Sequence, residues 1–348
     1  MSDVTIFAPS PTLTITIEDH EAGPDIHVHD GGQGVWQARM MLRLGASVTL
    51  CCALTGETGR VVRDLLEAEG FEVAGVERAG RGAAYVHDRR GGERTPIAET
   101  PGDALGRHEL DELYGIVLRE GLATGLVSLS GPDGDETLPA DTYRRLASDL
   151  RAGGARVVAD LSGDRLLAAL EGGVDVLKVS DDELRDDGLL DGDDAGSLMD
   201  AMAALRERGA GSVIVTRASE PFLLLDGGTV LEVTPPPLEA ADTRGAGDSL
   251  TAGVCAALAL GEPLREAVTM GAAAGAMNVT RHGLGTGDAA AIERLREAVR
   301  TRELRGTGGD GGERMPHVTP SDLASLADAG ADSAEREAGD GRDGEGGR

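Results

Sequence analysis

The run DTRGAGD at 242–248 sets two glycines, a small residue and a carboxylate at the head of the apolar, helix-like stretch SLTAGVCAALALG. The first N–H groups of a helix lack carbonyl partners within it, and Gly245 and Gly247 let a ligand come close to the backbone while Ala246 adds little bulk. Such a turn suits an anion, phosphate above all. Asp248 sits at the same helix start, where the dipole favours its ionised form by roughly 0.3–1 kcal/mol, as befits a carboxylate that accepts a proton. An aspartate there also serves as an ordinary N-terminal cap, and the turn alone leaves both roles open. Asp242 and Thr243 before it, and the small-residue helix after it, favour the first.

The elements that would position this turn alternate along the chain. SVTLCCAL (47–54), GLVSLSG (125–131), ARVVADLSG (155–163), VDVLKVS (174–180) and SVIVT (212–216) have the composition of buried strands. Between them, ETGRVVRDLLEAEG puts Val61, Val62, Leu65 and Leu66 on one helical face and stops at Gly70, and PADTYRRLASDLRAGG opens on Pro139 and closes on glycines. The alternation implies an α/β fold, a mainly parallel central sheet with helices on both faces. Two segments break the rhythm: 82–99 and 222–233 each have the form strand, glycine turn, strand. The first, together with TLTITI near the N-terminus, is expected to form a small separate sheet, a lid built from about 10–30 and 75–100. The folded domain is expected to run over 1–300. From 301 to 348 the chain is rich in Gly, Asp and Glu and poor in large apolar residues, the composition of an acidic disordered tail.

Composition narrows the partners. The 348 residues carry a formal net charge of −28, and a surface this acidic repels polyphosphate backbones and anionic lipid heads, so neither nucleic acid nor a membrane is expected. The three cysteines form no CxxC pair, and no segment has the form of a signal peptide or a membrane span, which points to a cytoplasmic protein. Lys178 is the only lysine and does not lie in a glycine loop, so phosphate is not handled by a GxxxxGK[ST] loop.

DTRGAGDSLTAG resembles the DTxGAGD signature of the ribokinase (PfkB) family of carbohydrate kinases, and GGQGVWQARMMLRLGASVTLCCALTGETG (31–59) is similar in order and spacing to that family's N-terminal signature. The resemblance runs from near the start to about residue 300, nearest the 1-phosphofructokinase and tagatose-6-phosphate kinase branch. It implies a ribokinase-like fold and ATP-dependent phosphorylation of a sugar hydroxyl, here on a hexose phosphate. Asp248 would be the general base and Gly245, Ala246 and Gly247 the anion hole, with ATP and Mg²⁺ required. It further implies a homodimer through the lid.

By the same resemblance, LKVSDDEL matches the family's KPNxxEL run, which assigns Lys178, Ser180 and Glu183 to the nucleotide side, with Glu183 and, at the end of VVAD, Asp160 acting indirectly on the metal. Thr216, Arg217 and Ala218 stand where the family has its SLGxxG turn, and Thr243 and Asn278 complete the nucleotide set. The acceptor set is Thr14, Gly31, Gly32, Trp36, Arg81 and Arg94; Arg81 best matches the family's substrate arginine, whereas Arg89 and Arg90 are expected at a solvated hairpin tip. Several positions depart from the pattern. Gln33 replaces a lysine, Trp36 an asparagine and Thr14 an aspartate, all on the sugar side, and Ala218 and Pro221 replace two glycines on the nucleotide side. Trp36 could stack on a ring, which keeps a nucleoside or another ring compound open as acceptor. A sugar-phosphate-binding protein without catalysis is the alternative from another class.

Overall fold

The computed structural model describes residues 3–304 except 22, 93, 133, 135, 193, 219, 239–243, 280–284 and 286. Ten strands form the main sheet. Seven of them are β1 (Val4–Phe7), β4 (Val48–Thr55), β5 (Glu72–Arg78), β8 (Leu126–Ser130), β9 (Arg156–Asp160), β10 (Val174–Ser180) and β11 (Ala210–Arg217). They pair in parallel in the order β11-β10-β9-β8-β1-β4-β5. The other three, β12 (Glu220–Asp226), β13 (Thr229–Thr234) and β14 (Arg300–Leu304), extend the β11 edge antiparallel. The hairpin expected over 222–233 is β12 and β13, joined at Gly227 and Gly228, whose φ of 56° and 87° fit the left-handed pair that a two-residue hairpin requires.

β4 shows why these strands read as unbroken apolar runs. Leu50, Cys52 and Leu54 face one core and Cys51 and Ala53 the other, because helices cover both sides. One layer holds α1 (Gln33–Arg43), α2 (Gly56–Glu69), α8 (Ala246–Ala259), α9 (Leu264–Val279) and α10 (Ala289–Ala298). The other holds α3 (Arg107–Thr124), α4 (Asp141–Ala152), α5 (Gly163–Gly172), α6 (Asp181–Asp186) and α7 (Ala195–Glu207). Of these, α8 is apolar almost throughout, being buried between α9, α1 and the sheet.

β14 lies beyond the expected domain end at 300. Its RTREL sequence has no apolar alternation; it is held by backbone pairing to β13 and by Arg302 donating to Glu232 at 2.8 Å. Of the tail expected over 301–348, residues 301–304 belong to β14 and the rest falls outside the described residues.

The small separate sheet is present. β2 (Thr12–His20) pairs antiparallel with β3 (Gly23–Gly31) and parallel with β6 (Ala84–Asp88), which pairs antiparallel with β7 (Thr95–Thr100). Register divides its faces. Thr14, Thr16, His27, His29, Tyr85 and His87 share one side, and Ile15, Ile17, Ile26, Val28 and Val86 share the other. The main-sheet order turns at β1, between β4 and β8, so the carboxyl ends of β1, β8, β9 and β10 open on the crevice where open α/β sheets bind ligands.

Candidate active site

α8 opens at Gly245, whose φ of 70° is a left-handed turn that glycine adopts readily, and no side chain caps the helix. Its first internal bond is Ser249 N–H to the Gly245 carbonyl at 2.9 Å, so the N–H groups of Ala246, Gly247 and Asp248 lie ahead of the helical ladder. Asp248 is half-buried, and among the described residues it forms no ion pair at bonding distance. Burial of its carboxyl, with Asp160 nearby, pushes it up to about 7, against the pull of Lys178 and of the Gln37 and Gln33 amides. A carboxylate so poised takes up a proton near neutral pH.

Behind it lies a buried polar knot. Asp160, the last residue of β9, accepts from Lys178 Nζ at 3.0 Å, from Gln37 Nε2 at 2.9 Å and from Thr251 Oγ1 at 2.7 Å. Burial works against the charge on Lys178, but Asp160, Glu183 and Asp248 outweigh it and hold the ammonium protonated. The same ammonium lies against the glycine turn: a Cβ placed on Gly247 would sit 2.8 Å from Nζ. Gln37 Nε2 also reaches Asp248 Oδ1 at 3.5 Å, and Ser128 Oγ donates to Gln37 Oε1 at 3.3 Å. Gln37, Thr251 and Ser128 were not foreseen from the sequence. Both Asp160 oxygens are engaged by protein donors, and one of them holds Lys178.

Of the residues expected at the nucleotide, Ser180 and Glu183 bind each other in a capping box at the start of α6. Glu183 N–H donates to Ser180 Oγ at 3.1 Å, and Ser180 N–H donates to Glu183 Oε2 at 2.7 Å. Thr216 ends the neighbouring strand, paired in register with Ser180. Arg217 Nε folds back to donate to the Pro221 carbonyl at 2.6 Å, and Ala218 holds a φ of 36°, the one positive value outside glycine among the described residues. Arg217 and Ala218 line a small cleft of about 220 Å³ with Asp181, Asp182 and Arg185. Asn278 does not open toward a ligand. Its Nδ2 donates to the Arg244 carbonyl at 2.6 Å and its Oδ1 accepts from Gly285 N–H at 3.2 Å, which ties the segment before the glycine turn to the loop after α9. Thr243 lies outside the described residues.

The acceptor candidates gather at a cleft of about 730 Å³ between the polar face of the small sheet and α1. Thr14, Gly32, Trp36 and Arg94 line it. Gly31 fits beside them because a Cβ there would meet Thr14 Oγ1 at 2.7 Å. Arg81 is not brought in. It is exposed and bound to Asp103 through both its backbone N–H, at 2.8 Å, and its guanidinium, at 3.2 Å. Arg89, expected at a solvated tip, instead lines the cleft and pairs with Glu18 at 3.5 Å, while Arg90 stays at the exposed turn on Asp88. The cleft also holds Asp30, pushed up to about 6 by burial and by Glu69, with Arg39 pulling the other way from 3.0 Å. His87 stands behind it, held neutral by burial and the nearby arginines at a pKa of about 4.

A family model described as pfkB family carbohydrate kinase matches residues 4–291. The chain is 32% identical to the ATP-dependent 6-phosphofructokinase isozyme 2 of Escherichia coli (strain K12) over 260 residues, 73% of this chain and 82% of that protein. It is 30% identical to the 1-phosphofructokinase of Bacillus subtilis (strain 168) over 263 residues, 74% of this chain and 84% of that protein. The crystal structure of phosphofructokinase-2 from Escherichia coli in complex with fructose-6-phosphate superimposes with a TM-score of 0.75 at 25% identity, covering 86% of this chain and 99% of that one.

Proposed function

Because the chain belongs to the pfkB family of carbohydrate kinases, phosphotransferases that act on an alcohol group, we propose that it transfers the terminal phosphoryl group of ATP to a hydroxyl of a hexose phosphate, as a 1-phosphofructokinase does. The observation that carries this proposal is Asp248, a carboxylate pushed up to about 7 at the mouth of an uncapped helix. The acceptor hydroxyl gives its proton to Asp248 as its oxygen attacks the terminal phosphorus. The amides at 245–247 and the Lys178 ammonium then face the charge that gathers on the phosphoryl oxygens.

Among the described residues no group of three or more His, Cys, Asp or Glu is placed to hold a metal ion. That donor set fits Mg²⁺ carried on the nucleotide, which keeps its waters and takes few protein carboxylates. Bound so, the ion would neutralise phosphate charge, with Glu183 at the start of α6 reaching it through water. The cleft at Thr14, Gly32, Trp36 and Arg94 receives the acceptor, and Arg89 and Arg94 face its phosphate. The apolar outer face of the small sheet, where Ile26 and Val28 are exposed, supports a homodimer through that sheet. The three cysteines, all free and buried, accord with a cytoplasmic enzyme.

One observation favours a different acceptor with the same chemistry: Trp36 lines the cleft, as a nucleoside or another ring compound would use. ATP turnover with fructose phosphates, free sugars and nucleosides tests both acceptors. Turnover on a fructose phosphate is expected, with Asp248→Asn lowering kcat by about 10²–10⁴-fold. Turnover confined to nucleosides would replace the acceptor. No turnover on any of them, with ligand binding unchanged in Asp248→Asn, would leave a binding protein.

A further inference from the structure

Gln33 and Gln37 lie one helical turn apart on α1, so their side chains leave the same face. Each amide is fixed at its oxygen by a donor from the β8 segment. Gly131 N–H donates to Gln33 Oε1 at 2.8 Å and Ser128 Oγ donates to Gln37 Oε1 at 3.3 Å. A backbone N–H accepts nothing, so Gln33 must present its oxygen there and turn its NH₂ group the other way. For Gln37 the same orientation follows from its other neighbours, since Asp160 Oδ2 at 2.9 Å and Asp248 Oδ1 at 3.5 Å both require a donor.

We propose that Gln33 and Gln37 form a neutral amide clasp that positions Asp248 and sets the pH at which it becomes a base. Resting on Asp248 as that base, the clasp deepens the phosphotransfer reading given above. The Gln37 NH₂ group has two hydrogens and meets two carboxylates, one hydrogen for each. It separates Asp160 from Asp248 without adding charge. Lys178, the positive group in this knot, is bonded to Asp160. A second cation in place of Gln37 would hold Asp248 ionised and too weakly basic to take a proton. An apolar side chain would leave Asp160 and Asp248 facing each other with one donor fewer. The contrast between 2.9 and 3.5 Å fits this division: Asp160 is gripped, and Asp248 is held loosely enough to turn to an acceptor hydroxyl. Both amides pull Asp248 downward, against burial and Asp160. Both glutamines act through Asp248 and are positioning residues.

The test is the pH profile of kcat/KM from about pH 5 to about pH 9 for the full chain, with ATP and the acceptor it turns over, in Gln37→Met and Gln33→Met. The acid limb should move up by about one pH unit in Gln37→Met and by less in Gln33→Met. kcat at neutral pH should fall about tenfold, with KM for ATP within about twofold. Gln33→Met carries the same prediction from the first helical turn should Gln37→Met fail to fold.

A readout without turnover is the melting temperature against pH, taken as the difference from Asp248→Asn. A carboxyl raised in the folded state loses its stabilising contribution as pH rises from its unfolded value to its folded one, so the native chain should lose ground to Asp248→Asn from about pH 4 and level off near pH 7, and the levelling-off should move higher in the methionine variants. An acid limb and a levelling-off both unmoved, with Asp248→Asn inactive, would overturn the clasp and leave the base in place. A moved levelling-off with Asp248→Asn fully active would keep the clasp and remove Asp248 as the base.

Discussion

Helices α6 and α8 open within reach of the same lysine, and they treat their first N–H groups in opposite ways. At α6 the chain supplies its own anion: Ser180 and Glu183 close the end from inside, and the Glu183 charge still acts on Lys178. At α8 the residue before the helix is a left-handed glycine with no side chain, and the only acid in the first turn, Asp248, is raised toward neutrality and does not cap. Both ends face the same physical problem, orphan amides and a positive dipole. The closed end gains stability locally. The open end leaves its amides without a side-chain acceptor, as the proposed phosphoryl site requires, and the lysine stands between the two. A helix start without a cap is therefore informative where a neighbouring one, on the same strand edge, is fully capped.

The largest effect should come from crowding the open end while leaving its helix intact. Gly247→Ala adds a methyl that would meet Lys178 Nζ at 2.8 Å and Cε at 3.3 Å, displacing the ammonium from its place between the turn and Asp160. Alanine is the better helix former by about 1 kcal/mol, which offsets only part of the cost of disturbing the buried Lys178–Asp160 pair, so the fold should persist with a lower melting temperature. kcat should fall on the order of 10²-fold, the scale of a misplaced charge in a reacting site. Steady-state kinetics beside a thermal melt checks both halves. Full activity in this variant would show that Lys178 has no part at the turn, and the contrast between the two helix starts would lose its open member.

At the closed end the effect should be a loss of stability. Ser180→Ala removes the cap at a cost of about 1 kcal/mol, read as a melting temperature lower by about 2 °C. Glu183→Gln separates capping from charge, because glutamine also completes a capping box. Its melting temperature should stay near that of the native chain, while the Mg²⁺ concentration needed for half-maximal turnover rises. An unchanged Mg²⁺ dependence would reduce Glu183 to a cap and make the contrast with α8 complete.

What could be read in advance was what is local. The glycine turn and its acid stand within four residues, and the small sheet announces itself by the two-residue alternation of TLTITI and by a hairpin. The polar knot is different in kind. Gln37 meets Asp160 across 123 positions and Thr251 meets it across 91, and only the placing of β9 between β8 and β10 brings them together. A weak signal did exist for Gln37, a glutamine four residues after another on a helix whose neighbours Val35, Ala38 and Met41 are buried. The arginines show a second kind of limit. Tyr85, His87 and Arg89 share one parity, which alternation in β6 would have placed on one face, whereas Arg81 precedes the strand and is captured by Asp103. β14 left no apolar pattern to find, since an edge strand pairs through its backbone.

Between the capped and the open helix lies a third turn, at the end of β11, held by neither device. Ala218 sits at φ 36°, a conformation that costs a residue with a Cβ about 1–2 kcal/mol, and the Arg217 guanidinium bonded to the Pro221 carbonyl keeps the chain there. Glycine at this position removes the strain but leaves the unfolded chain more freedom, an opposing term of about 0.4–1 kcal/mol. The first exceeds the second, so Ala218→Gly should stabilise the protein by about 0.5 kcal/mol, a rise in melting temperature of about 1–2 °C, with KM for ATP unchanged because the backbone path is already that of a glycine. A fall in melting temperature would mean that the Ala218 side chain makes contacts worth more than its strain. The turn would then resemble the sealed start of α6 more than the open start of α8.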